Sequence, residues 1–301
     1  VIRENSQSIY TKIPINTNFR DYKKFKKICF VGLPDQTQAL KKIRTLSTEI
    51  NKKIQIVIGP MVGINMDAEV IDGIRKVFNI KKNLEIKKIR WRDGEWPGYL
   101  NIRLSNNKSL KIKKFYYNFL LPFYCSQETL VSNDFANEAA DISVGDAWSP
   151  KYEKIGGGWS MVWAKTPYGD NILKKLKFSK KILLNNVPFD EAIKMHTHIL
   201  DFKKRGSLYR KGILKFFNIN VPKDKVYKDK FYLSRFLIEL IILSIIYFCK
   251  SKIGRFLLKW LNSNFLGFIF EKTRYFWKNL TKDTKRRGFN KLNRNVFQKN
   301  N

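Results

Sequence analysis

Acid, histidine and cysteine are all scarce in this chain, and each scarcity excludes something. Its 301 residues include 25 Asp and Glu, two histidines (His196 and His198) and three cysteines (Cys29, Cys125 and Cys249). No two cysteines lie within four residues of each other, so neither a disulfide framework nor a C-x-x-C metal clamp can form, and a reducing compartment is the default. The histidines are spaced i, i+2 with no cysteine or carboxylate cluster beside them. They read as a surface feature rather than a metal site. No Gly-x-Ser-x-Gly elbow, Walker A loop or local Cys–His pair occurs, which leaves hydrolase and nucleoside-triphosphatase readings unsupported. A basic n-region followed by a short apolar run and a small-residue cleavage site, the mark of a signal peptide, is also missing.

Base is abundant. Lys and Arg number 59, and the net charge is +34. Such a charge attracts polyanions and anionic lipid surfaces. The plainer reading is a generally lysine-rich composition, with Ile, Asn and Lys abundant together as in residues 81–88. At 44% hydrophobic and 14% aromatic, the chain has enough apolar surface to offset its conformational entropy, so a folded core is expected. Basic residues interleaved with aromatics can track phosphates and stack bases, but no nucleic-acid recognition module is visible, and that class ranks last.

The first part alternates as a parallel unit does. Ile28-Cys29-Phe30-Val31 is an apolar run ending at Gly32, and residues 36–50 carry Ala39, Leu40, Ile43, Leu46 and Ile50 at helical spacing. Residues 54–58 form a second β-branched run ending at Gly59-Pro60, followed by helical spacing through Val70, Ile71, Ile74, Val77 and Phe78. This β-α-β-α order predicts a parallel core, with a ligand in the loops beyond the strand C-termini, at residues 32–36 and 59–65.

Residues 84–91, 99–104 and 109–114 then alternate with period two, and Ser105-Asn106-Asn107-Lys108 joins the last two as a hairpin turn. The expected fold is therefore α/β, a mixed sheet with a parallel start and an antiparallel hairpin. Between the first two of these strands lies Arg92-Asp93-Gly94-Glu95-Trp96-Pro97-Gly98, a rigid, charged, aromatic loop. Arg92, Trp96 and Gly98 could offer a ligand charge, stacking and close backbone approach; the bland alternative is a tight loop whose Trp packs on the core. Residues 141–146 read as a strand ending at Gly145-Asp146, where a carboxylate could meet a ligand or merely form a turn. Gly156-Gly157-Gly158 precedes a strand from Trp159 to Ala164 and a helix over 168–176. Without a following Gly-Lys-Ser/Thr, that glycine run is only superficially a phosphate cradle.

Past residue 203 the composition becomes more basic, and Pro222-Lys223-Asp224-Lys225 reads as a linker between a domain over 1–222 and a basic amphipathic helical extension over 223–301. Residues 231–249 are strongly apolar but interrupted by Arg235 and Glu239, each of which opposes membrane insertion by roughly 2.5–3.5 kcal/mol. Spanning is not favoured. Amphipathic helices flanked by base fit a cytoplasmic protein lying peripherally on the inner face of an anionic membrane; a helical pair packed on the main domain fits equally.

Four ordered segments carry a resemblance. Phe30 to Leu40 (FVGLPDQTQAL), Arg92 to Gly98, Asp134-Phe135 with Glu138 to Trp148, and Gly158-Trp159-Ser160 with Lys165-Thr166 and Gly169 resemble the coenzyme F-420 hydrogenase/dehydrogenase beta-subunit family, over about residues 28–222. The resemblance implies an α/β oxidoreductase domain using FAD and iron–sulfur clusters to exchange electrons with a deazaflavin coenzyme or another redox partner. It also implies a ferredoxin-like segment near the N-terminus, and this chain is expected to start inside the first family region. Through the resemblance Gly32, Pro34, Gln36, Gly145, Asp146 and Ser160 join Arg92, Trp96 and Gly98 as expected FAD contacts, with no catalytic residue assigned.

The departures concern sulfur. Where the family reads Gly-x-Pro-Cys-Gln this chain has Asp35; where it reads C-x-x-C-x-D-F the chain has Thr129 and Ser132; and the strand usually followed by another cysteine is followed by Gly59-Pro60-Met61. Cluster iron needs thiolates, so no 4Fe–4S cluster is expected here. The functional expectation is a flavin-linked oxidoreductase or electron-transfer subunit without its own cluster. The alternative is a redox-inactive relic of the family acting as a membrane-associated binding protein.

Overall fold

The computed structural model describes residues 11, 13, 15–113, 116–222, 231–258, 260 and 263–281. The linker read at 222–225 lies, beyond Pro222, outside the described residues, as does the basic tail after 281.

A 3-10 segment (Ile15–Lys24) leads into β1 (Ile28–Val31) and α1 (Pro34–Leu46). Pro34 occupies the first turn, where a missing N–H leaves nothing unpaired, and Gln36 turns back so that its Oε1 accepts from the Leu33 N–H at 2.9 Å. The single helix expected over 36–50 is two. Ser47 interrupts it, its Oγ accepting from Ile50 N at 3.3 Å to begin α2 (Thr48–Lys53). Then follow β2 (Ile54–Pro60), α3 (Val70–Val77), β3 (Ile86–Asp93), β4 (Tyr99–Leu104), β5 (Ser109–Lys113), a 3-10 turn (Tyr116–Leu120), α4 (Leu121–Tyr124) and α5 (Gln127–Val131). The chain continues through β6 (Ile142–Asp146), α6 (Pro150–Ile155), β7 (Ser160–Ala164), α7 (Pro167–Phe178), α8 (Phe189–Leu200), a π-helical turn (Asp201–Gly206), α9 (Ser207–Phe216), α10 (Leu233–Lys250), α11 (Lys252–Leu257) and α12 (Ser263–Thr281).

The mixed α/β sheet is present, in the order β1-β2-β6-β7. β1, β2 and β6 are parallel, and β7 returns antiparallel to β6 with Asp146 opposite Ser160. The antiparallel hairpin differs from expectation in one respect: β3, β4 and β5 form a sheet of their own rather than extending the first. Their alternation explains this. Leu100, Ile102 and Leu104 turn one face of β4 into a core shared with Ile74 of α3, Tyr117 and Leu120, so that sheet has a hydrophobic partner of its own.

The C-terminal helices attach through apolar contacts, Leu243 of α10 in one core cluster and Leu258, Leu266 and Phe270 in another, together with a buried ion network. On α10, Arg235, Glu239 and Leu243 are buried at i, i+4 and i+8. Glu239 bonds Arg210 of α9 at 2.5 Å and Arg235 at 2.6 Å, and Arg235 also bonds Asp201 at 2.5 Å. Arg210 completes its donors on the carbonyls of Leu130 and Phe202 at 2.7 and 2.6 Å. The charges read as interruptions of an apolar run are thus its inward face. Among the described residues no helix is long and apolar enough to cross a membrane. His196 is buried rather than on the surface: it lies on the inner face of α8, its ring 5.0 Å from that of Phe135.

Candidate functional site

Because β1, β2 and β6 are parallel, their C-terminal ends share one edge of the sheet, where α/β folds place ligands. β7 begins at the same edge, which therefore carries Gly32, Pro60, Asp146 and Ser160. The second sheet docks there. Arg92, in β3, donates through Nη1 to both Asp146 carboxylate oxygens at 3.0 and 2.9 Å, and through Nε to the Pro97 carbonyl at 3.2 Å. A charge-assisted pair this well sheltered fixes the loop against β6.

The loop between β3 and β4 is held by three devices. Gly98 has φ +83° and packs so closely on the Arg92 backbone that a Cβ would lie 2.9 Å from Arg92 Cα. The Trp96–Pro97 bond is cis. The Trp96 ring lies 4.6 Å from that of Trp148, tilted by 42°, and Gly158 backs it at a distance where a Cβ would stand 2.9 Å from Trp96 Cβ. Gly156, Gly157 and Gly158 all have φ between 71° and 75°, so the glycine run serves a turn. Trp96 Nε1 is buried and has no acceptor. A buried N–H without a partner is rare, and here it sits in an aromatic wall at a strand edge.

Of the expected site residues, Arg92, Trp96, Gly98, Asp146 and Ser160 come together at this corner. Gly145 stands against Met61, with a Cβ there lying 2.9 Å from Met61 Cβ. Gly32, Pro34 and Gln36 sit two strands away at the end of β1. Pro34 and Gln36 are buried in α1, and Gln36 spends its carbonyl on Leu33 N and its amide on the Ile13 carbonyl. Between the groups the edge is filled by Asn137, fully buried, with φ 59°. Its amide donates to Gly32 O at 2.8 Å and Pro60 O at 3.3 Å, and Thr37 donates to its carbonyl at 2.5 Å. Gly59 has no side chain because one would overlap the Asn137 amide. No sequence pattern singles out Asn137, whose partners are 77 to 105 residues away.

Other polar residues near the edge are structural. Asp141 accepts from Val57 N at 2.8 Å and Thr166 Oγ1 at 2.9 Å, and Thr166 caps α7. Asp134 has no solvent exposure; its Oδ2 accepts from Glu138 N at 2.9 Å and Gln38 Nε2 at 3.1 Å, while its Oδ1 is buried without a partner. Burial, reinforced by Glu138, pushes its acid upward. Lys165 donates to Ala136 O at 2.7 Å, and burial lowers its amine to about 8 against the pull of Asp134 and Glu138. A shallow apolar recess opens beside them, lined by Met61, Phe135, Met161, Trp163, Ile193 and His196 among others.

The position where the family motif has its first cysteine is closed by oxygen. Thr129 Oγ1 donates to Asn65 Oδ1, which also accepts from Ser126 Oγ at 2.6 Å, and the two hydroxyls are 3.1 Å apart. Lys203, which burial brings down to about 7, donates to the Thr129 carbonyl at 3.0 Å. Cys125 is buried beside them, its thiol pushed up to about 11 by burial, so it is not thiolate at neutral pH. Among the described residues no group of three His, Cys, Asp or Glu side chains is placed to hold a metal.

This sheet edge and its docked aromatic loop define an α/β scaffold with a candidate ligand site at the strand C-termini. Residues 25–188 match the family described as the C-terminal region of the beta subunit of coenzyme F420 hydrogenase/dehydrogenase, and the chain belongs to that family. A chain of the xenon-derivatised F420-reducing NiFe hydrogenase complex from Methanosarcina barkeri is similar at 19% identity, over 72% of each chain, with a TM-score of 0.49. No curated protein matches.

Proposed function

We propose that the protein is a flavin-linked oxidoreductase subunit that binds FAD at the strand edge between Trp96 and Ser160 and works without an iron–sulfur cluster of its own. The observation carrying this reading is the buried, unsatisfied Trp96 Nε1 in an aromatic wall, in a chain of an oxidoreductase family. That N–H is shut off from solvent as the loop stands, so FAD binding requires a small movement of the loop to bring it to the acceptor-rich edge of a flavin ring, with the Trp96–Trp148 pair as an apolar flank. Bound flavin supplies one- or two-electron exchange. The protein's own part is to hold Trp96 by Gly158 and the Arg92–Asp146 pair, and to present Ser160, the strand partner of Asp146, as a hydroxyl at the rim. Arg92 is neutralised by Asp146, so diphosphate charge must be met by other cations.

The cluster-free half of the proposal is supported by the Asn65–Ser126–Thr129 hydrogen bonds, which put hydroxyl and amide oxygens where cluster iron needs thiolate sulfur. A bound flavin would then take its electrons from a deazaflavin coenzyme or a redox partner. Titrating the protein with FAD while following tryptophan emission tests the site. Trp96→Phe keeps an aromatic ring but removes the N–H and the five-membered ring that carries it, and the lost hydrogen bond alone predicts at least roughly 2- to 13-fold weaker binding. Equal affinity in the two proteins would remove Trp96 from the site, and no FAD binding by either would refute the flavin reading.

A further inference from the structure

We propose that the outward face of α10, continued into α11, is a docking surface for an anionic lipid bilayer, against which α10 lies parallel to the membrane plane. This stands independently of the flavin reading. A water-facing helix normally turns apolar side chains inward and charges outward; α10 packs Leu243, Phe236, Leu240 and Ile246 inward, but takes its charges inward with them and leaves an uncharged apolar stripe outside. Arg235 and Glu239 are buried in the ion network with Arg210 and Asp201. Outward stand Leu233, Leu237, Ile241, Ile245 and Phe248, spaced by four, four, four and three and each between 48 and 63% exposed. The other exposed residues of this helix are Ser234, Ser244 and Tyr247, none of them charged. Past the charged turn at Lys250, α11 and its end expose Ile253, Phe256 and Trp260.

Charge selects the occupant. Residues 231–301 contain fifteen Lys and Arg against three Asp and Glu, a net +12, and one of those acids, Glu239, is sequestered in the buried network. Two copies of a chain carrying +34 repel each other, which disfavours self-association through this face. An apolar stripe bordered by base and aromatic residues matches the boundary between acyl chains and anionic headgroups. Because Arg235 and Glu239 bind the helix to the rest of the protein, it is held along the surface rather than across it.

The test is sedimentation of the full chain with vesicles of phosphatidylcholine alone or mixed with phosphatidylglycerol, comparing wild type with Leu237→Glu/Ile241→Glu. Both side chains are exposed, so the variant keeps its fold, checked by its urea midpoint. The wild type is expected to pellet with the anionic vesicles only, and the variant to partition about tenfold less or weaker still. Binding that is unchanged in the variant, or absent in the wild type, or equal on neutral vesicles would overturn the proposal. So would light scattering showing a wild-type dimer that the substitutions dissolve, since the face would then belong to a second copy.

Discussion

Replacing Glu239 by Ala is the most searching perturbation of the fold. Both carboxylate oxygens are engaged, Oε2 by Arg210 and Oε1 by Arg235, and the side chain has no exposure to solvent. Arg235 would retain Asp201, but Arg210, also fully buried, would keep only the carbonyls of Leu130 and Phe202. Burial already lowers the Arg210 guanidinium against the opposing pull of Glu239, so removing that pull leaves a charge in apolar surroundings. Deleting one partner of a buried pair costs about 3–5 kcal/mol, against about 0–1 kcal/mol for an exposed pair such as Lys174–Asp170. Against a total stability of roughly 5–15 kcal/mol this is a large fraction. With a urea slope of about 1–3 kcal/mol/M, the midpoint should fall by about 1 M or more. Urea unfolding followed by circular dichroism, with Asp170→Ala as the exposed control, measures it. A loss for Glu239→Ala within about 0.5 kcal/mol of the control would refute the claim that the ion network helps hold α10 in place.

Gly158→Ala should destabilise by about 1–3 kcal/mol and alter tryptophan emission, because φ is +71° and a Cβ would press on Trp96. Gly94→Ala, at φ +82° with nothing within 4 Å, isolates the backbone part in the same unfolding assay and should cost less. Asn137→Ala leaves the Gly32 and Pro60 carbonyls without their donor and should cost about 1–3 kcal/mol or more by thermal or urea unfolding. For Lys203, the folded amine sits near 7 and the unfolded one near 10.5. Between those values the unfolded chain binds the extra proton, so stability should rise with pH, by at most about 1.4 kcal/mol per unit. Comparing wild type with Lys203→Met between about pH 7 and 8.5, below the range where Cys125 contributes the opposite slope, should show a steeper rise in the wild type, the smaller rise left in the variant coming from Lys165, which burial lowers to about 8.

Local pattern revealed the parallel strands because 28–31 and 54–58 are short apolar runs between turn residues, and period two revealed β4 and β5. Arg92, Trp96 and Gly98 are legible as a charged aromatic loop between turn residues, a pattern that serves a ligand or a tight turn packed on the core. What pattern could not supply was long-range pairing. The Arg92–Asp146 bond spans 54 residues and the Thr37–Asn137 bond 100, and nothing near Asn137 marks it as the plug of the sheet edge. The break at Ser47 was readable as a capping serine but was hidden by unbroken apolar spacing on both sides. Arg235 and Glu239 looked like defects in an apolar run because hydropathy treats charge as outward. Their i, i+4 spacing places them on one face, and the partners that draw that face inward, Asp201 and Arg210, lie outside the run.

The absorption spectrum of the full chain purified without oxygen, read together with its iron and acid-labile sulfide content, bears most directly on the redox account. The expected result is a flavin spectrum approaching one FAD per chain after incubation with FAD, with iron and sulfide at background. A colourless protein that takes up no FAD, or stoichiometric iron and sulfide, would contradict it.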